Sequence, residues 1–298
     1  MSDHTNLHTA ARNKDDEFYT EYDYIDNEVK HYTKFFKDKV VYCPCDDYRW
    51  SNFPKYFKNN FEKFGIKKLI ASCYNSNGNG TLYIYDGEKE VVKEMFSNGD
   101  FQHEEVKSVM RHCDIIVTNP PFSLIWRLFD IMMNMKKDFL IVAPFNMFVS
   151  ATGKFIEYIK SDDIRIGTNK VHNGKFFKDL NKQTEFKNVK CNWLTNFKIN
   201  LNDPTKRKFL NLTKSINDMK YKYIENTDFL NVDKSVDIPK DYNGYIAVPV
   251  TFIDKWNPKQ FELIGTSGTH RTDIDLKDMF IDGKQIFSRL IVKPHSQN

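Results

Sequence analysis

The chain has few cysteines, no long apolar run and a net charge of only +4. Its five cysteines are an odd number without a C-x-x-C pair, which argues against a disulfide framework and against structural zinc. His103, His112 and His172 lack ligand spacing as well, so we predict no metal. No apolar run approaches membrane-spanning length and the first residues are polar, so we expect neither an anchor nor a signal peptide. These absences favour a cytoplasmic protein whose cysteines are reduced thiols.

Residues 114–122 read DIIVTNPPF, a β-branched run that ends at an asparagine, two prolines and an aromatic ring. Because Pro120 cannot donate to a strand ladder, the strand must end at Thr118 or Asn119. Asn119 would then lie at the carboxyl end of a strand, the edge at which open α/β sheets bind ligands. An ordinary strand-to-loop turn is the alternative interpretation.

This loop has the composition needed to hold a planar amino group. The side-chain oxygen of Asn119 and the carbonyl of Pro120 can accept both hydrogens of the group, and the ring of Phe122 offers a face for a base. Accepting both hydrogens draws the nitrogen lone pair out of conjugation. A weakly nucleophilic exocyclic amine needs this change before it can attack a methyl sulfonium.

The sequence Asn119-Pro120-Pro121-Phe122 resembles the catalytic motif of S-adenosylmethionine-dependent amino methyltransferases, most of which act on adenine N6. The rest of the chain resembles the EcoRI-type adenine methylases, with matching stretches at residues 16–20, 42–47, 98–101, 138–148, 193–196 and 247–265. The resemblance implies a site-specific DNA adenine-N6 methyltransferase. Its cofactor would be S-adenosylmethionine, its partner double-stranded DNA, and its host a bacterial or phage-infected cell. A cognate restriction nuclease and the oligomeric state stay open.

Strand-like runs alternate with helical patterns through the first two thirds of the chain, which indicates a parallel sheet covered by helices. The predicted fold class is α/β, a Rossmann-like methyltransferase sheet with helices on both faces. The predicted strands are 39–43, 67–73, 114–118 and 138–144, the predicted helices 55–64 and 124–135, and the predicted hairpins 81–90 and 188–198. We expect a disordered tail at 1–14, a catalytic domain at 15–200 and a smaller target-recognition region at 201–298.

The expected glycine-rich turn after the first strand is missing. The resemblance puts Cys43 in the place of the usual acidic residue, followed by Pro44, with the acids displaced to Asp46 and Asp47. A carboxylate here would complement the positive methionine part of the cofactor. Capping of the next helix is the alternative role. The second strand ends at residues 72–75 without the acid that normally binds the ribose.

Two further segments are assigned to the cofactor by resemblance. The segment Phe18-Tyr19-Thr20 would close over the methionine part, although two aromatics beside a threonine also suit a core or a cap. Asp100 would bind the cofactor's adenine amino group, and Phe101 would cover that base. Gly99-Asp100 is equally compatible with a plain turn.

Target binding is assigned to late aromatics and to a basic segment. By analogy with the family, Trp193 or Phe197 would stack on the flipped base. Residues 151–200 hold 10 basic and 5 acidic groups, against 19 and 22 in residues 1–150. Lysines of this segment, Lys170 and Lys175 among them, would neutralise phosphates beside the extruded base, unless they only solubilise a surface loop. Arg289 could read a guanine or contact a phosphate.

Three other functions stay open. The same loop serves enzymes that methylate RNA exocyclic amines or protein glutamines, since each presents a planar amino group. Pro44-Cys45 could supply the nucleophile of a cytosine-C5 methylase, but this leaves the Asn119 loop unexplained. The missing glycines and ribose acid would also suit a nucleic-acid-binding methylase homologue without activity.

Overall fold

The structure is a computed structural model that describes residues 19–144, 147, 154–169, 174–177, 186–189, 191–198, 208–267, 269–270, 275–276 and 279–295. The chain divides into two compact units, residues 1–144 with 166–197 and residues 145–165 with 198–298. Residues 145–165 therefore group with the second unit, whereas the sequence analysis assigned them to the catalytic domain. The predicted tail at 1–14 lies outside the described residues.

The first unit is built around a mixed sheet. Its strands, including β8 at its border, are β1 (Tyr19–Thr20), β2 (Val40–Cys43), β3 (Lys68–Cys73), β4 (Thr81–Tyr85), β5 (Glu90–Glu94), β6 (Ile115–Thr118), β7 (Asp138–Pro144), β8 (Arg165–Ile166), β9 (Gly174–Phe177), β10 (Phe186–Val189) and β11 (Cys191–Thr195). Its helices are α1 (Tyr22–Val29), α2 (Asn52–Asn59), α3 (Phe61–Phe64), α4 (Glu104–His112) and α5 (Ile125–Asn134), with 3₁₀ turns at Thr33–Phe35 and Phe122–Leu124.

Eight strands form the sheet in the order β5-β4-β3-β2-β6-β7-β11-β8. The central strands β3, β2, β6 and β7 are parallel, whereas β4, β5 and β11 pair antiparallel. The chain moves from β2 to β3 on one side and later returns to place β6 on the other side of β2. Right-handed crossovers therefore put α2 and α3 on one face and α4 and α5 on the other. The carboxyl ends of β2 and β6 flank the switch point, where such sheets bind ligands.

The predicted parallel strands are confirmed to within one residue. Strand β6 is fully buried and ends at Thr118, directly before Asn119 and the two prolines. The predicted helix 55–64 is in fact two helices that meet at Asn60, and α2 begins earlier, at Asn52, because the Ser51 hydroxyl caps it by accepting a bond from the Phe53 amide (3.3 Å). Helix α3 ends at Gly65, whose φ of +64° suits glycine.

The late hairpin was predicted incorrectly. Residues 188–198 do not fold back on themselves: β11 pairs with β7, and β10 pairs with β9 in a separate sheet of order β1-β9-β10. In that sheet Tyr19 pairs with Phe177 and Thr20 with Phe176. The sequence gives no local signal for this pairing, because β1 and β9 are more than 150 residues apart.

The second unit contains helix α6 (Lys154–Lys160) and mostly antiparallel strands. The strands are β12 (Lys222–Tyr223), β13 (Leu230–Asn231), β14 (Ile246–Pro249), β15 (Phe261–Thr266), β16 (Thr269–His270), β17 (Asp275–Leu276), β18 (Phe280–Ile281), β19 (Lys284–Gln285) and β20 (Arg289–Pro294), with 3₁₀ turns at Ser235–Asp237 and Val250–Asp254. Five of them form a sheet in the order β12-β13-β14-β20-β15 over a core that includes Phe229 and Ile291. Arg289 is half-buried, donating to Asn231 (3.1 Å) and pairing with Asp233 (2.5 Å), so the predicted base or phosphate contact by Arg289 is not supported.

Candidate active site

A cavity of about 180 Å³ opens at the carboxyl edge of the parallel strands, at the switch point between β2 and β6. Five segments of the first unit line it: Thr20 at the end of β1, residues 44–47 and 50–51 after β2, residues 73–74 at the end of β3, residues 99–101, and residues 119–121 and 124 after β6. The two loops that the sequence analysis singled out, after β2 and after β6, thus lie on the same cavity. The parallel sheet brings them together, although 67 residues separate Ser51 from Asn119 in the sequence.

Asp46 connects these two loops. Its carboxylate is buried, with Oδ1 accepting a hydrogen bond from the Ser51 hydroxyl (2.6 Å) and Oδ2 accepting one from the Thr118 hydroxyl (2.6 Å). Burial raises the pKa of Asp46 to about 7, and the two hydroxyl hydrogen bonds oppose that rise. Asp46 is not the N-cap of α2, a position held by Ser51.

Asp47 differs from Asp46 because it forms an ion pair with Arg49. Burial would raise its pKa, but the hydrogen bonds and charge of Arg49 hold it below the ordinary value. The Arg49 Nε donates to Oδ1 at 2.8 Å, and the guanidinium completes the pair at Oδ2. Asp47 is therefore ionised on the wall of the cavity at neutral pH, with Arg49 as its counter-ion.

The segment after β6 contributes Asn119, Pro120, Pro121 and Leu124 to the cavity wall. Asn119 is half-buried and Pro120 is buried, and Pro121 has a φ of −53°, within the range set by its ring. Phe122 begins the 3₁₀ turn and is half-buried; its ring lies outside the cavity lining. The four predicted catalytic residues thus occupy the edge at which the sequence places them, with Asn119, Pro120 and Pro121 at the cavity.

The predicted cofactor residues Thr20, Pro44, Asp46, Asp47, Asp100 and Phe101 all line the cavity. The Thr20 hydroxyl is buried, and among the described residues it has no hydrogen-bond partner. Asp100 Oδ1 accepts from the Gln102 amide (2.8 Å) and, at 3.4 Å, from the Gln102 side chain, whereas Oδ2 has one long contact to that side chain (3.5 Å). Phe101 is buried and supplies an apolar wall.

Several lining residues were missed by the sequence analysis. They are Cys45, Trp50, Ser51, Cys73, Tyr74, Gly99 and Leu124. Gly99 has a φ of +82°, and a Cβ there would lie 2.2 Å from the Cys73 carbonyl oxygen. The Asn98-Gly99 pair was a usable signal for this close approach, because glycine there brings Asp100 against the end of β3. Trp50 and Tyr74 are 38% and 53% exposed, which leaves their rings partly open to solvent.

Besides Phe122, three of the predicted residues with described side chains do not line the cavity. Cys43 is the buried last residue of β2, and its thiol points into the core, where burial and the charge of Asp46 raise its pKa. Trp193 is fully buried and stacks on Tyr24 with centroids 5.3 Å apart. Phe197 is buried and stacks on Phe35 at 4.4 Å. Base stacking by these two rings was thus an incorrect expectation, because β11 turns the Trp193 indole toward α1 and α2.

Other predicted residues are described in part or not at all. Tyr19 and Lys175 lie on the paired strands β1 and β9, of which the backbone is described. Phe18 and Lys170 lie outside the described residues. Within the described ranges, no three His, Cys, Asp or Glu side chains are grouped to hold a metal ion. No helix in the same ranges has both the length and the apolarity needed to cross a membrane.

Comparison with known proteins agrees with the geometry. The family described as "Adenine-specific methyltransferase EcoRI" matches residues 6–294. The chain is 40% identical to Type II methyltransferase M.EcoRI of Escherichia coli over 96% of this chain and 95% of that protein. It is 34% identical to M.MgeORF184P of Mycoplasma genitalium over 95% and 97%, and 31% identical to M.MpnI of Mycoplasma pneumoniae over 95% and 96%. No solved structure matches. The chain therefore belongs to the EcoRI family of adenine-specific methyltransferases, as the Asn119 loop predicts, and it is an adenine-specific DNA methyltransferase.

Proposed function

We propose that the cavity binds S-adenosylmethionine and that the loop after β6 holds the N6 amino group of an adenine extruded from double-stranded DNA. The observation that carries this proposal is the position of Asn119 and Pro120 on the wall of a cavity that also contains Asp47 and Asp100. An acceptor site for an amino group and anionic sites for a cationic cofactor thus meet at one edge of the sheet.

The residues of the cavity fit this cofactor. The buried Thr20 hydroxyl has no partner among the described residues and can bond a polar ligand group. Asp47 is ionised and complements the charge of the methionine ammonium, whereas the free lone pairs of Asp100 suit the adenine amino group. Phe101 covers the base. S-adenosylmethionine, when bound, supplies an electrophilic methyl group on its sulfonium.

The protein's own part in the reaction is orientation. The Asn119 side-chain oxygen and the Pro120 carbonyl accept the two amino hydrogens, so that the nitrogen lone pair is aimed into the cavity. Extruding the adenine costs a few kcal/mol, which stacking on Phe122 and the two hydrogen bonds offset. The excess proton leaves to water after transfer, so no strong general base is needed.

The basic segment is proposed to contact the DNA backbone. Lys175 precedes Phe176 on β9, and Phe176 pairs with Thr20, which lines the cavity. Strand β9 is thus one strand away from the proposed cofactor site. We propose that Lys175, together with Lys170, neutralises phosphates beside the extruded base. Residues 201–298 are proposed to read the DNA site. The Type II relatives suggest a role in restriction and modification inside a bacterial or phage-infected cell.

The Asn119→Ala variant tests the proposal. We expect methyl transfer to DNA to fall by at least about a thousandfold, because both the hydrogen-bond acceptor and the orientation of the amine are lost. Binding of S-adenosylmethionine, followed by calorimetry, should stay within about threefold of the wild type. The matched control is Asn60→Ala, which changes a half-buried asparagine between α2 and α3, away from the cavity. Unchanged methylation by Asn119→Ala would refute the assignment.

A further inference from the structure

We infer that Asp46 is a positioning residue, whose carboxylate joins the loop after β2 to the last residue of the catalytic strand β6 and so fixes Asn119. This inference rests on the proposed role of Asn119. It departs from the sequence prediction, in which Asp46 contacts the cofactor directly.

Both oxygens of Asp46 are engaged by the protein. Oδ1 accepts from the Ser51 hydroxyl at the start of α2, and Oδ2 accepts from the Thr118 hydroxyl at the end of β6, each at 2.6 Å. Hydrogen bonds to a carboxylate are short and about twice as strong as neutral ones. The carboxylate therefore fixes the relative position of a helix start and a strand end that are 67 positions apart in the sequence.

Thr118 is the last residue of β6, directly before Asn119. Its side chain is fully buried, so its rotamer sets the path of the chain as it enters the loop. Misplacement of a reacting group by about 1 Å can cost a hundredfold in rate. A bond that fixes Thr118 thus acts on the amino group through Asn119, without contact between Asp46 and the substrate.

The loop that carries Asp46 is itself anchored to the neighbouring strand. The Asp46 amide donates to the Ser72 carbonyl (3.0 Å), and the Ser72 hydroxyl donates to the Pro44 carbonyl (3.2 Å). Because this backbone position is fixed by β3, the carboxylate is a rigid point of reference for Thr118.

Ionisation controls this contact. A carboxylate accepts from both hydroxyls, but a protonated carboxyl must place its own proton toward one of them. Burial raises the pKa of Asp46 to about 7, so the doubly accepting form is lost just below neutral pH. Titratable neighbours of Asp46 include Cys45, directly before it in the loop, Cys43 on β2, whose raised pKa keeps its thiol neutral, and Asp47, which is paired with Arg49. The methyl-transfer rate should therefore fall as the pH drops through about 7.

The test is the pH profile of the single-turnover rate of methyl transfer to double-stranded DNA. Thr118→Val removes the hydroxyl bond that favours the charged carboxylate, so the acidic limb should move up by about one to two pH units. The rate at pH 7.5 should fall about tenfold, with little change in KM for S-adenosylmethionine. Thr118→Ser keeps the hydroxyl and should restore the wild-type profile.

A matched control is Thr195→Val. Thr195 is also fully buried on this sheet, and its hydroxyl donates to the Phe139 carbonyl (2.7 Å) at a distance from the cavity. It should lose stability while keeping the wild-type pH profile. Asp46→Asn provides a second variant: its amide does not titrate near neutral pH, so the acidic limb should disappear and the rate should be low at every pH.

Different outcomes separate this inference from the proposed function. If Asn119→Ala is inactive but Thr118→Val and Asp46→Asn keep the wild-type pH profile, the role of Asp46 is refuted and the role of Asn119 stands. If Asn119→Ala is active, both are refuted. The inference is established if the acidic limb of the pH profile shifts in Thr118→Val. The limb should stay at its wild-type position in Thr118→Ser and in Thr195→Val.

Discussion

The two loops that flank the cavity are held in place by different means. The loop after β2, residues 44–51, is fixed by hydrogen bonds of the ionisable side chains Asp46 and Asp47. The loop after β6, residues 119–124, contains no charged residue and is restricted by Pro120 and Pro121. The first loop is therefore held by ionisable side chains, whereas the second is restricted by covalent geometry and meets an ionisable group at its entry, where Thr118 bonds Asp46. The chemistry assigned to each follows this division, since a cationic cofactor needs charge and an amino group needs fixed neutral acceptors.

After that of Asn119→Ala, the largest effect is expected in the same proline-restricted loop, at Phe122. Phe122→Ala should lower the methyl-transfer rate by about ten- to a hundredfold, since base-to-aromatic stacking is worth about 1–3 kcal/mol. Phe122→Tyr and Phe122→Trp should keep partial activity because each retains a ring. Single-turnover kinetics and 2-aminopurine fluorescence at the target position would measure transfer and base extrusion. Equal rates for all three variants would exclude the stacking role.

In the charged loop, Asp47 should affect the cofactor more than the chemistry. Asp47→Asn removes a fixed negative charge from the cavity wall, so the Kd for S-adenosylmethionine should rise by about tenfold, while the rate at saturation changes little. Asp114→Asn is the control, because Asp114 accepts from the Val40 amide (2.7 Å) at the opposite edge of the sheet. An equal rise in the Kd for S-adenosylmethionine in both variants would contradict a specific role of Asp47.

Asp46 should make the stability of the fold and the methyl-transfer rate respond to pH in opposite directions. Its folded pKa of about 7 lies above the unfolded value, so the folded state binds this proton more tightly. The stability that it contributes is full below about pH 4 and is lost as the pH rises through about 7. Between pH 5 and pH 8, Asp46→Asn should therefore gain on the order of 2–4 kcal/mol in unfolding free energy relative to the wild type. Urea unfolding at the two pH values measures this difference; a constant difference would contradict it.

The smallest effect is expected for Pro121→Ala. The substitution leaves the acceptors in place and loosens the loop, at a cost of about 0.4–1 kcal/mol, so the rate should fall about two- to fivefold. Because the constraint removed is the proline ring and not an ionisable group, the loss relative to the wild type should be the same at every pH between 6 and 9. A loss confined to low pH would show that the two loops do not differ as described.

Much of this architecture can be predicted from the sequence. Short β-branched runs with clear ends located β2, β3, β6 and β7, and Pro120 fixed the end of the catalytic strand. Side-chain partners between distant segments could not be predicted, because the bond from Thr118 to Asp46 spans 72 positions and depends on the order of strands in the sheet. The Trp193 assignment failed for a related reason. Analogy placed an aromatic late in the chain, but strand alternation on β11 decides which face of the sheet it meets.

The central claim is that the Asn119 loop directs methyl transfer to adenine N6 in DNA. The most direct measurement is transfer of radiolabelled methyl from S-adenosylmethionine to mixed-sequence double-stranded DNA, with RNA and protein in parallel, by the wild type and by Asn119→Ala, followed by nucleoside analysis. The account predicts N6-methyladenine in the DNA digest of the wild type and none with Asn119→Ala. Label in RNA or protein instead, or equal label with Asn119→Ala, would contradict it.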